Sequence, residues 1–141
     1  MEKFEVNILG CGSALPTTRH FSSSQVVNIR EKLFMIDCGE GTQIELRRNK
    51  SKYSQIDAIF LTHLHGDHIL GIPGLLLSFG LNERTAPLKI YGPAGIKEIV
   101  KTYSLVAPNL PFEIICEELT ESEITLNEIG LNINAFKVKH S

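Results

Sequence analysis

The seven residues THLHGDH, Thr62 to His68, constrain this chain more than any other stretch. Three of its five histidines fall there, directly after the apolar run Ile-Asp-Ala-Ile-Phe-Leu. In an extended segment, residues two apart share a side. His63 and His65 can therefore hold one cation together at the end of a strand over Ile56–Leu61. Gly66 is expected to let the backbone turn sharply. Asp67 and His68 then project from the new direction, toward an adjacent second ion. Imidazole nitrogens with a carboxylate suit zinc, with manganese or iron as alternatives. Two metals roughly 3.5–4 Å apart can clamp an attacking and a departing oxygen. A lone histidine here would be an ordinary surface or core residue; four ligand-type residues at this spacing are not.

Other residues bear on the same site. His140 follows a strand-like stretch, Asn132–Val138, and is a candidate further ligand. Asp37 ends its strand just before a turn. It is either an acceptor that orients a ligand histidine or a turn former. Gly10-Cys11-Gly12 lacks the third glycine of a dinucleotide fingerprint, and Gly39-Glu40-Gly41-Thr42 lacks the lysine of a Walker loop. Both read as tight strand exits. The basic residues Arg47, Arg48, Lys50 and Lys52 read as a solvated helix end.

Strands are predicted over Phe4–Leu9, which alternates, Gln25–Ile29, Leu33–Ile36, the β-branched apolar run Ile56–Leu61, Leu88–Tyr91, Phe112–Glu117, Glu123–Leu126 and Leu131–Val138. Helices are predicted over Thr42–Arg48, Leu70–Leu81, stiffened or kinked by Pro73, and about Ala94–Leu105. Strands in hairpins with helices between them suggest an α/β chain. The expectation is a mixed sheet with helices on one face, rather than a regular parallel βαβ array. A length of 141 residues allows one domain, 1–141, and 43% hydrophobic residues supply its core. A net charge of −2 does not advertise a nucleic-acid binder. Three widely spaced cysteines form no framework and fit a cytoplasmic setting. No run reaches the length of a membrane span, and no membrane partner is expected.

Several segments together carry a resemblance. NILGCGSALPTTRHFSSSQVV, FMIDCGEGTQIEL, FLTHLHGDHILGIPGLLLSFGL and LKIYGPAGIKEIV resemble the ribonuclease Z family of the metallo-β-lactamase superfamily. The resemblance covers nearly the whole chain. It implies the N-terminal half of an αβ/βα sandwich, with two zinc ions at one sheet edge. It implies that His63, His65 and His140 bind the first zinc, that Asp67 and His68 bind the second, and that Asp67 is the general base. The implied activity is zinc-dependent removal of 3′ trailers from tRNA precursors, by hydroxide held on the metals. Alternatives are another hydrolase of the superfamily, a phosphodiesterase or thioesterase, or a non-catalytic associating fragment.

The family is about twice as long. Its later half supplies a bridging aspartate, another zinc histidine and the arm that grips tRNA. The chain is therefore expected to be truncated, to hold zinc partially or not at all, and to be inactive alone. An uncovered sheet face containing Val6, Ile8, Val27, Phe34, Ile59 and Leu61 is expected to drive a homodimer.

Overall fold

The computed structural model describes residues 3–49, 52–128 and 131–139. Six strands form one sheet in simple sequential order. They are β1 (Phe4–Gly10), β2 (Ser24–Ile29), β3 (Lys32–Cys38), β4 (Ile56–Phe60), β5 (Leu88–Gly92) and β6 (Ile114–Glu118). A separate hairpin pairs β7 (Glu123–Glu128) with β8 (Leu131–Phe136). The helices are α1 (Thr42–Arg48), the short α2 (Gly66–Ile69), α3 (Ile72–Leu81) and α4 (Ile96–Tyr103). A single 3₁₀ turn at Tyr53–Gln55 leads into β4.

The sheet is mixed, as expected, but its division is sharper than the sequence suggests. β1, β2 and β3 are antiparallel neighbours. From β3 onward every pairing is parallel, with helices in the crossovers. Hence half of the sheet is a regular parallel array, which the sequence reading did not favour. The reason lies in β4 and β5, whose apolar residues are buried on both faces, the signature of covered parallel strands. Pro73 also departs from expectation. It sits in the first turn of α3, where no backbone donor is lost, so it opens the helix instead of kinking it.

Two cores lie on opposite faces. The larger packs Val26, Met35, Ile59, Leu61 and Ile90 against Leu46 of α1, Leu75 and Phe79 of α3, and Ile96 of α4. The smaller joins Val27, Phe34, Ala58 and Tyr91, with Leu126 and Leu131 of the hairpin packed on it. The Phe60 and Tyr91 rings stack there at 5.0 Å. This splits the apolar set expected to be uncovered. Ile59 and Leu61 face the helices, and Val27 and Phe34 are buried. Only Val6 and Ile8 stay open, joined by Phe4, at 50%, 66% and 69% exposure. Strand alternation alone could not assign faces, because β3 and β4 are apolar on both. Among the described residues no helix is long and apolar enough to cross a membrane.

Arg84 locks the entry ends of β4 and β5. Its guanidinium is buried and donates to the carbonyls of Ser54, Ile56, Ala86 and Pro87 at 2.7–2.9 Å. Phe79 and Phe112 rings flank it at 5.1 and 5.7 Å. Arg84→Met should therefore strand four carbonyls and cost about 3 kcal/mol of stability. Urea denaturation measures this, and a loss under about 1 kcal/mol would show that water replaces the guanidinium.

The thiols differ as sharply. Cys38 is fully buried, and burial pushes its pKa from 9.0 up to about 12, whereas Cys11 is exposed. A neutral buried thiol adds full stability below the ordinary thiol range. That contribution shrinks as pH climbs from about 9 toward 12, because the unfolded chain ionises first. A thiol reagent at pH 8 should label Cys11 quickly and Cys38 only on unfolding. Equal labelling rates in the folded protein would overturn the burial argument.

Candidate metal centre

The site is built where β3 and β4 end side by side. β3 finishes in Asp37 and Cys38, and Asp37 adopts a left-handed φ of 62°. A short polar aspartate tolerates that region better than most residues do. The twist aims the carboxylate across at the end of β4. Its Oδ1 accepts the Thr62 amide at 2.8 Å, and Thr62 Oγ1 lies 2.9 Å from both carboxylate oxygens. Ser23 Oγ donates to Oδ2 at 3.3 Å. His68 Nδ1 donates to the same Oδ2 at 2.7 Å. A carboxylate only accepts, so the proton of this bond sits on Nδ1. That leaves the His68 Nε2 lone pair for the cavity.

The chain between Thr62 and His68 turns tightly. The Leu61 amide still pairs with Tyr91 O at 2.8 Å. His65 is extended at φ −67°, ψ 151° and precedes α2. The His68 amide then donates to His65 O at 2.9 Å. Gly66 is the first residue of α2 and does not have a positive φ. The expected sharp turn is thus a helix entry that needs no special glycine conformation. Nearby, Gly39 is required for closeness. A Cβ there would stand 2.6 Å from Asp67 O and from Ser22 Cβ.

His63, Asp67 and His68 come together: one ligand atom from each lies within 4.8 Å of the others. His68 Nε2 is 3.5 Å from Asp67 Oδ2. The His65 ring lies 4.8 Å from that of His63, and the His68 ring 3.8 Å from it. All four residues line one cavity of about 550 Å³, with Ser13 and Ala14 on its rim. The close triad thus draws its members from both of the ligand pairs expected from sequence. His140 lies outside the described residues.

Asp67 is held by a partner that no side-chain pattern announces. The Ala14 amide donates to its Oδ2 at 3.0 Å across 53 positions of sequence. That bond, with the His68 and His63 imidazoles beside it, holds the Asp67 carboxyl below its usual range against the effect of desolvation. Two imidazoles and an ionised carboxylate match the donor set of a zinc or similar cation. The Asp37–His68 bond supplies the carboxylate–imidazole support that such ligands carry. Of the two roles open to Asp37, its contacts with Thr62 and His68 are those that an orienting acceptor would make. Thr62, Ser23 and Ala14 complete the support. Thr62 stood inside the motif without an assigned task, and Ala14 acts through its backbone, which sequence chemistry does not mark.

The chain is similar to known proteins in both sequence and fold. Residues 4–109 match the family model described as anti-Pycsar protein Apyc1. The ribonuclease Z of Bacteroides thetaiotaomicron is 55% identical over 127 residues, which cover 89% of this chain and 40% of that protein. The ribonuclease Z of Bacteroides fragilis is 46% identical, covering 99% of the chain and 47% of that protein. Among solved structures, the short form of human tRNase Z superposes with a TM-score of 0.76 at 38% identity, covering 86% of this chain and 45% of that one. The metallo-β-lactamase fold protein YhfI from Bacillus subtilis superposes with a TM-score of 0.69 at 21% identity, a likeness of fold alone. The chain spans less than half the length of these curated relatives. It belongs to the family described as anti-Pycsar protein Apyc1, carries the metallo-β-lactamase fold and is a relative of ribonuclease Z.

Proposed function

We propose that this chain supplies the N-terminal metal-ligand half of a zinc-dependent endoribonuclease that removes 3′ trailers from tRNA precursors. The observation that carries the reading is the His63–Asp67–His68 cluster braced by Asp37, in a chain 55% identical to a ribonuclease Z. His63, His65, Asp67 and His68 would hold zinc. His140 is proposed to join them. When bound, zinc supplies Lewis acidity and neutralises charge that grows on the phosphoryl oxygens. Asp67 is the proposed proton acceptor for the attacking water, since its carboxyl is kept ionised and is locked by the Ala14 amide. Asp37 keeps the His68 imidazole in one tautomer and one orientation. Unpaired thiols and an RNA substrate favour a cytoplasmic setting.

The chain alone is proposed to be inactive, with zinc held weakly or at partial occupancy. The chain spans less than half the length of its curated relatives, and the family resemblance places the bridging aspartate in the later half. In a longer protein carrying this segment, Asp67→Ala should lower kcat on a tRNA precursor by about 10²–10⁴-fold. Near-normal cleavage by that variant would remove Asp67 from its role. A second reading is a different phosphodiesterase of the same fold, one of the alternatives that the superfamily resemblance leaves open. Cleavage of a small cyclic phosphodiester, with tRNA precursors left intact, would select it.

The open apolar row Phe4, Val6 and Ile8 lies on the edge strand of the sheet. We infer that two copies of this chain cover these rows about a two-fold axis, a contact that a monomer rarely leaves exposed. Light scattering at micromolar concentration should return about twice 15.7 kDa, and Val6→Glu should return the monomer. A wild-type monomer at that concentration would refute the association.

A further inference from the structure

Leu64 stands between His63 and His65, and it has a task of its own. Where two flanking side chains face a cavity, the middle residue of an extended segment faces the opposite way. Leu64 does so, packing partly buried against the helix-side core. Its seat is Gly95. A Cβ at that position would lie 3.1 Å from Leu64 Cδ1. Gly95 also has a φ of 106°, a conformation that side-chain-bearing residues rarely adopt.

This glycine corner is itself fastened. Glu118 ends β6, opposite Gly92 in the β5–β6 register. Its Oε2 accepts the Gly95 amide at 2.5 Å and the Lys97 amide at 3.3 Å. The Leu119 amide donates back to Gly92 O at 2.7 Å. An anionic carboxylate suits the amide-rich start of α4, where the donors have no partner within the helix. Glu118, the Gly95 corner and Leu64 therefore form one stack beneath the ligand loop.

We propose that Glu118 and Leu64 are positioning residues for the metal centre. Glu118 fixes the Gly95 corner. The corner fixes where Leu64 can sit, and Leu64 sets the directions of the His63 and His65 imidazoles on either side. The stack reaches the site from the β6 side, whereas Asp37 braces it from β3. This inference rests on the metal reading above.

The test titrates the 141-residue chain with Co²⁺ and follows the visible absorption band of the bound ion. Leu64→Ala and Glu118→Ala should each weaken Co²⁺ binding by about 10–100-fold and alter the band shape. The double variant should lose little more than the weaker-binding single variant, because both changes act through one seat. Ile99→Ala, on α4 and packed against the same core, is the control. It should lower thermal stability while Co²⁺ affinity stays put. Should either alanine variant fail to fold, Leu64→Val and Glu118→Gln replace it, with smaller losses in the same order. Unchanged affinity in both single variants would overturn the proposal. So would fully multiplicative losses in the double variant, or an equal loss in Ile99→Ala. A wild-type chain that takes up no Co²⁺ would defeat the metal reading and this inference together. A wild-type chain that binds, with variants that bind equally well, would defeat only this inference.

Discussion

The carboxylate of Asp37 is the contact on which the site depends. It is 3% exposed, and a charge so buried is costly unless its oxygens are met by donors. Thr62, Ser23 and His68 meet them. The same bonds tie the end of β3 to the end of β4 and fix both ends of the ligand loop, since Thr62 opens it and His68 closes it. The left-handed backbone at Asp37 costs on the order of 1–3 kcal/mol in a typical protein, and it persists because the surrounding bonds over-determine it.

Sheet topology explains why such a site can form at all. β3, β4, β5 and β6 run parallel, so their carboxyl ends lie along one edge of the sheet. Each end delivers one part: Asp37 from β3, the Thr62–His68 loop from β4, the Gly92–Gly95 corner from β5 and Glu118 from β6. Open parallel sheets gather their ligand sites at that edge for this reason. The antiparallel strands contribute differently. The segment between β1 and β2 arches over the cavity, where the Ala14 amide meets Asp67.

The two faces of the sheet are unequal. Helices α1, α3 and α4 cover most of one, with Leu75, Phe79 and Ile96 fully buried. The hairpin packs on the other over the Val27, Phe34, Ala58 and Tyr91 cluster, and the β1 row stays open. The site lies on the edge and not on either face. Its shape is therefore set by strand ends and loops, while the apolar faces supply rigidity and contact surface.

The sequence by itself determined the local pieces. The spacing of His63, His65, Asp67 and His68 marked a candidate cation site, because no ordinary surface or core role places those residue types so close together. Alternation marked β1, and helical spacing marked α4, because burial of one face leaves a period in the chain. Only the tertiary structure decided which face each strand presents, since Ile59 and Phe34 are equally apolar yet lie on opposite sides. It alone showed what Asp37 touches, since its partners stand 14 to 31 positions away. The Ala14 amide and the Glu118–Gly95–Leu64 stack were illegible for the same reason. They are contacts between backbone groups and distant segments, and those meet only once the parallel strands have aligned their ends.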